Sequence, residues 1–215
     1  MNDAHYHRGG YATYLSLGGR EYRFYGVHPW EAHAWSAERE ASLREALAAD
    51  SHAGVGEIGL DRLKKKEIAP IERAAFETQL KLAAEFRRPV VLHGAKCWGE
   101  VAAACGPYVG KIPAFLFHGF SRSGGLLPAI YGLNGFIGVG AALLNDHAIN
   151  YRALVKDIAA DRLLVETDSD YGTEPSPDST LVEILRKLSE LRGEAQEKLS
   201  AAIDANLARF VEVLA

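Results

Sequence analysis

The feature that most constrains the fold is a regular alternation of short apolar, β-rich runs with amphipathic helical patterns. The clearest runs are 53–60, 88–94, 114–119, 136–140 and 162–168. Helical patterns cover 36–50, 70–86, 97–105, 122–133, 148–159, 178–191 and 194–214. Apolar strands separated by helices are typical of a parallel sheet covered on both faces. The pattern predicts an α/β protein, and both an open doubly wound sheet and a closed (β/α) barrel satisfy it.

The beginning of the chain breaks this alternation. Residues 11–27 contain two β-rich runs on either side of the dipeptide Gly18-Gly19. A glycine pair between two such runs is typical of a hairpin turn. We therefore predict two strands here and infer that one early helical crossover is missing.

Composition limits the functions to consider. The 215 residues fit one domain, 1–215, and a net charge of −4 argues against broad, charge-driven adhesion to DNA or anionic membranes. A polyanionic substrate held through bound cations stays compatible with that charge.

No apolar run approaches the roughly 18 residues of a membrane span, and no secretion leader is seen. Cys97 and Cys105 form no paired CxxC motif, so we expect reduced, partly buried thiols. We predict a cytoplasmic protein with no membrane association and no obligate protein partner.

Imidazole and carboxylate side chains stand at the ends of the predicted strands. They are His5, His7, His28, Glu57, His93, His118 and Asp168. In parallel α/β proteins the C-terminal ends of the strands meet on one face, where active sites are built. A single histidine at such a position is usually structural, but the whole set together predicts a metal site.

The residue types indicate which ions this site would take. Imidazole together with carboxylate suits zinc, manganese or iron, whereas sets of oxygen ligands suit magnesium or calcium. His5 and His7 are two positions apart on a strand, so they share a face and can bind one ion together. The six of these side chains other than His28 are too many for one tetrahedral ion with an open position. They fit two divalent ions, with Glu57 as the natural bridge.

The order of the motifs resembles the TatD family of metal-dependent hydrolases, which belongs to the amidohydrolase-like metallohydrolases. The motifs are H-x-H, G-V-H-P, G-E-I-G-L-D, P-V-V-L-H, F-H-G-F-S and E-T-D-x-x-Y, and N-L-A-R-F at 206–210 resembles the closing helix. The resemblance implies a distorted TIM-type (β/α) barrel. Only twenty residues separate His7 from His28, where the family has a helix and a strand. We therefore expect a shortened barrel with seven principal strands.

The resemblance also implies roles for individual residues and for two divalent ions, with zinc, manganese, magnesium and iron all left open. His5, His7 and Asp168 would bind the first ion, His93 and His118 the second, and Glu57 would bridge the two. Asp168 matches the catalytic aspartate of the family, which orients or deprotonates the attacking water. Asp168 and Glu57 are thus the expected catalytic residues.

Two further residues are candidates for supporting roles. His28, in G-V-H-P-W, matches a family histidine near the substrate phosphate, and the alternative is that it braces the turn before Pro29. Glu166 lies two residues before Asp168 on the same strand, so it can face the same end of the barrel. There it would orient a metal ligand, or it would be purely structural.

The basic residues near the site depart from the family pattern. The family commonly has an arginine two residues after the histidine that corresponds to His93, and here that position is Ala95. Lys96 follows and is a candidate for phosphate binding, with a solvated helix start as the alternative. Arg122, in H-G-F-S-R-S-G, stands where the usual motif has a small residue and is a candidate substrate contact.

The resemblance implies a divalent-metal-dependent phosphodiesterase, most simply a 3′→5′ DNA exonuclease, acting on DNA or a small phosphodiester. Related barrels use the same set of ligands on many bonds. Hydrolysis of a small ester, amide or lactone is therefore the alternative, followed by a catalytically silent metal-binding scaffold. No basic tract rich in aromatic residues, as seen in proteins that bind nucleic acids, stands out.

Overall fold

The strands of this chain form one sheet that curls into a nearly closed barrel. A computed structural model describes residues 1–8, 12–63, 66–121, 124–169 and 177–215, and in it eight strands pair in sequence order. They are β1 Asp3–His7, β2 Thr13–Leu17, β3 Arg20–Tyr25, β4 Gly54–Asp61, β5 Val90–Ala95, β6 Phe115–Phe117, β7 Gly135–Val139 and β8 Leu163–Val165. Pairing is parallel from β3 to β8. The distorted TIM-type barrel predicted from the sequence is confirmed.

Helices connect the parallel strands and continue the chain beyond β8. They are α1 Ala37–Ala49, α2 Pro70–Glu85, α3 Trp98–Cys105, α4 Leu127–Gly132, α5 Ile149–Asp157, α6 Pro177–Arg192 and α7 Gln196–Val211. Ser36 caps α1 by accepting a hydrogen bond from the Arg39 amide, and Pro70 opens α2, where a missing N–H costs nothing. Within the described ranges, no helix is long and apolar enough to cross a membrane.

A hairpin replaces the early helical crossover, as predicted. Gly18 and Gly19 have φ angles of +59° and +82°, which residues with a Cβ rarely adopt, and they join β2 to β3. The expected count of seven principal strands is wrong, because β2 is itself a strand that pairs with neighbours on both sides. Since β2 runs antiparallel to both, β1 and β3 point the same way. The ends of both strands therefore lie at the same mouth of the barrel.

Residues that follow β8 close the barrel against β1. The Asp168 amide donates to the His5 carbonyl at 3.0 Å, and the His7 amide donates to the Ser169 carbonyl at 2.9 Å. These bonds pin the beginning of the chain to the segment that carries Asp168. The two histidines of the H-x-H motif are therefore held at the mouth by backbone hydrogen bonds.

The buried carboxylate of Asp3 strengthens this closure. It accepts hydrogen bonds from the Thr167 amide at 3.0 Å, the Thr167 hydroxyl at 2.6 Å and the His5 amide at 3.2 Å. Its side chain thus joins the first strand to the chain just beyond the last strand. We call this contact the Asp3 clasp.

The opposite end of the barrel is filled by α7. The Asn206 amide group donates to the Leu163 carbonyl at 2.8 Å, at the start of β8. Phe210 stacks on Phe24 with ring centroids 6.0 Å apart and meets Phe136 edge-on at 5.9 Å. The asparagine and phenylalanine of N-L-A-R-F are therefore structural contacts that close the end away from the mouth.

The Asp3 clasp gives a stability prediction. Asp3→Ala leaves three buried donors without their acceptor, so the free energy of unfolding in urea should fall by about 2–3 kcal/mol. Asp3→Asn keeps one acceptor oxygen and should lose less than half of that. Equal losses in the two variants would contradict the role given to the carboxylate.

Candidate metal centre

The centre is built around the carboxylate of Glu57, on β4, which is 3% exposed. Its Oε2 atom lies 3.4 Å from His5 Nε2 and 3.7 Å from His7 Nε2. Its Oε1 atom lies 2.6 Å from His118 Nε2 and 2.7 Å from His93 Nδ1. The two oxygens of one carboxylate therefore face two different pairs of histidines, which come from β1 on one side and from β5 and the end of β6 on the other.

Asp168 completes the half of the centre that contains β1. Its Oδ1 atom is 3.3 Å from His5 Nε2, 3.5 Å from His7 Nε2 and 4.0 Å from His118 Nδ1. Its side chain is 48% exposed, unlike that of Glu57. Asp168 thus reaches both the buried histidines and the open mouth.

The spacing in this half is closer to that of ligands sharing one ion than to that of direct hydrogen bonds. Two ligands that each lie about 2.1 Å from one zinc ion are roughly 3.0–3.4 Å apart. The separations between either histidine and the oxygens of Glu57 and Asp168 run from 3.3 to 3.7 Å. Direct charge-assisted hydrogen bonds would be about 2.7–2.9 Å. Both ring nitrogens of His5 are buried and make no hydrogen bond within the described part of the chain, as expected of a side chain that serves as a ligand.

The other half contains one more histidine than expected. His28 Nε2 lies 3.3 Å from His93 Nδ1 and 3.6 Å from Glu57 Oε1, so the three residues form a group able to hold an ion. The other ring nitrogen of His28, Nδ1, accepts a hydrogen bond from the Trp30 amide at 3.2 Å. His28 is therefore placed among the ligand atoms and also braces its own turn.

Asp61, at the end of β4, was not among the predicted site residues. Its Oδ2 atom accepts hydrogen bonds from Trp30 Nε1 at 2.6 Å and from His93 Nε2 at 3.1 Å. His93 is consequently held between the carboxylates of Asp61 and Glu57, which orients its ring. Asp61 is the last letter of G-E-I-G-L-D and Trp30 is the last of G-V-H-P-W, so both motifs contained the signal.

Glu166, which follows β8 directly, is fully buried beside His118. Its Oε1 atom accepts a hydrogen bond from the Gly119 amide at 2.6 Å and lies 3.7 Å from His118 Nδ1. A Cβ atom on Gly138 would come within 2.1 Å of Glu166 Oε2, so the carboxylate occupies the space left by that glycine. These contacts bring Glu166 close to His118, and its role in orienting a metal ligand stays a prediction.

The substrate-binding roles of the basic residues Lys96 and Arg122 stay predictions. Lys96 is exposed and follows β5 directly, which puts it at the mouth of the barrel. Arg122 lies outside the described residues, as does Tyr171 of the E-T-D-x-x-Y motif.

The charges of the cluster create a demand for cations. Burial opposes ionisation of Glu57, but the neighbouring imidazoles, His118 first, hold its pKa well below the usual value. Burial and His118 lower the pKa of His5, yet the carboxylates of Asp168 and Glu57 outweigh both and raise it to about 9. Burial likewise opposes ionisation of Asp168, and His5 and His7 lower its pKa. Two ionised carboxylates at this depth need positive charge, which protons or divalent ions can supply.

The family model described as TatD related DNase matches residues 11–212. The chain belongs to this family. The match confirms the resemblance inferred from the motifs. It begins after His5 and His7, which the structure itself brings to Glu57.

Individual relatives support the same assignment. The "3'-5' ssDNA/RNA exonuclease TatD" of Edwardsiella piscicida is 34% identical over 72% of this chain and 61% of its own length. The protein of the same name from Pectobacterium parmentieri is 31% identical over 86% of this chain and 75% of its own length. The crystal structure of a TatD homologue from Escherichia coli K12, YJJV, superposes with a TM-score of 0.77 at 26% identity, covering 87% of this chain and 75% of that one.

Gly138 offers a test of the Glu166 support. Gly138→Ala places a methyl group where the Glu166 carboxylate lies, whereas Gly140→Ala brings its Cβ only to ordinary contact distances of 3.6–3.8 Å. Gly138→Ala should weaken metal binding about 10-fold or more, as expected when a group supporting a ligand moves. Gly140→Ala is the matched control and should bind as the wild type. Calorimetric titration with manganese or zinc measures the metal affinity of both variants. Equal affinities would refute the role of Glu166 in supporting a metal ligand.

The metal-free protein should lose stability as the pH rises. The pKa of His5 is about 9 in the folded state against 6.5 ordinarily, so its stabilising contribution is complete below pH 6.5 and is lost as the pH rises through 9. The free energy of unfolding in urea with EDTA should fall by roughly 2–4 kcal/mol across this window. His5→Gln should flatten the dependence. An unaltered slope in His5→Gln would rule out this histidine as its source.

Proposed function

We propose that this protein is a divalent-metal-dependent 3′→5′ exonuclease that hydrolyses the phosphodiester bonds of single-stranded DNA. The observation that carries the proposal is the division of the Glu57 carboxylate between two groups of histidines, with Asp168 reaching one of them from the open mouth. The family assignment supports it, as do relatives named 3'-5' ssDNA/RNA exonuclease.

The donor set fits two ions. We assign the first to His5, His7 and Asp168, the second to His93 and His118, and the bridge to Glu57. When bound, such ions supply positive charge that stabilises the phosphate in the transition state and lowers the pKa of water. His28 is the further donor beside the second group, or a contact to the substrate phosphate.

Asp168 is assigned to the proton transfer. Its carboxylate is ionised at neutral pH and half-exposed, so it can accept a proton from a water molecule that enters at the mouth. The oxygen of that water attacks phosphorus, and the bond to the leaving 3′-oxygen breaks. Glu57 keeps the buried imidazoles in place during this step.

The other sequence predictions stay proposals. Hydrolysis of a small ester, amide or lactone and a silent metal-binding scaffold are the competing functions. A single domain over 1–215 and the absence of an obligate partner stay predictions. A cytoplasmic location is supported by Cys97 and Cys105, which are both buried and free.

Single-stranded oligonucleotides with one protected end test the activity and its direction. With manganese or magnesium, the wild type should release mononucleotides when phosphorothioate linkages protect the 5′ end and should stall when they protect the 3′ end. Asp168→Asn should lower kcat by about 10²–10⁴-fold, as expected for loss of a proton acceptor. His52→Gln, at the end away from the mouth, should keep wild-type kcat.

Each competing function has its own outcome in the same assay. Cleavage of a panel of esters and lactones without release of nucleotides would replace the nuclease by the small-substrate hydrolase. Tight metal binding without turnover of any substrate would identify the protein as a catalytically silent metal-binding scaffold. Full activity of Asp168→Asn would refute the assigned proton transfer.

A further inference from the structure

A large aromatic ring is exposed at the edge of the candidate metal centre. Trp30 is 48% exposed, whereas Trp98 is 2% exposed and packs in the core. The Trp30 ring centroid lies 5.0 Å from that of His28 and 6.3 Å from that of His93. An indole with this much exposed area therefore borders two histidines of the metal-binding cluster.

The ring is held in place by the strand that carries Glu57. Its Nε1 atom donates a hydrogen bond of 2.6 Å to Asp61, whose side chain is buried. The Asp61 carboxylate also accepts from the Leu63 amide at 2.6 Å, and the Asp61 amide donates to Glu72 on α2 at 2.8 Å. Asp61 is therefore anchored from three directions, and the indole attached to it is preorganised. A preorganised ring loses little conformational entropy when a ligand stacks on it.

We propose that Trp30 is a stacking subsite for a nucleobase of the substrate, next to the nucleotide whose phosphate enters the metal centre. The inference rests on the proposed nuclease function and assigns a part of the substrate that the metal ligands leave uncontacted. Aromatic rings hold single-stranded nucleic acids by stacking on bases, and this contact tolerates any sequence because every base has a π face. Since Asp61 binds both the indole and His93, the subsite and the metal ligand are positioned by the same carboxylate.

Removal of a base from the substrate tests this contact directly. An oligonucleotide series carries one abasic residue at the first, second or third position from the 3′ end. Wild-type kcat/KM should fall about 5- to 100-fold at the position that stacks on Trp30, as expected for loss of base–aromatic stacking. Trp30→Leu should lose a similar factor on intact DNA and should show no further loss on any abasic substrate.

Two controls separate stacking from a structural effect. Trp30→Phe keeps an aromatic ring and should retain most of the abasic penalty. Val109→Ala changes an exposed apolar residue before β6, at the end away from the mouth, and should behave as the wild type on every substrate.

The outcomes distinguish this inference from the proposed function. If the wild type degrades none of the oligonucleotides, the proposed function fails. If it degrades them and Trp30→Leu shows the full abasic penalty, the stacking subsite is refuted. A Trp30→Phe variant that shows no abasic penalty also refutes it, because an aromatic ring at this position would then not be the feature that contacts the base.

Discussion

The ionised carboxylate of Glu57 lies in the interior of the barrel, and the architecture of the mouth depends on it. Burying an unpaired carboxylate costs several kcal/mol, so this charge needs partners from every side. Five histidines surround it: His5, His7, His28, His93 and His118. They lie at the middle or in the second half of a strand, or just beyond its C-terminal end, where the barrel brings separate parts of the chain together. The negative charge of Glu57 is costly to bury without cations, and for the same reason it favours the binding of cations at this site.

The short connection at the start of the chain is compatible with this arrangement because of strand direction. Replacing a helical crossover by a two-residue hairpin turn adds the antiparallel strand β2 but leaves β1 and β3 parallel. His7 and His28 therefore end on the same face although only twenty residues separate them. The Asp3 clasp, together with the backbone bond from the Asp168 amide, holds the first strand against the end of the sheet.

Much of the site could be predicted from residue types and their positions at strand ends. His5 and His7 share a face because side chains alternate along a strand, a rule that needs no knowledge of the tertiary structure. Asp61 was missed because it lies on the same strand as Glu57, and residue types alone do not show that its carboxylate meets Trp30 and His93. Trp30 follows β3 and Asp61 ends β4. Only the pairing register of these two strands brings the two side chains into contact.

The sequence by itself determined the alternation of strands and helices, the hairpin and the types of side chain at the mouth, because these depend on local periodicity and turn chemistry. The tertiary structure decided which oxygen of Glu57 faces which histidines, that His28 lies among the ligand atoms and that the barrel has eight strands. These features depend on distances between strands, which follow from pairing register and from closure of β1 against the end of β8. A local pattern carries no information about such distances, since they are set by parts of the chain as much as 164 residues apart, as in the contact between Asp3 and Thr167.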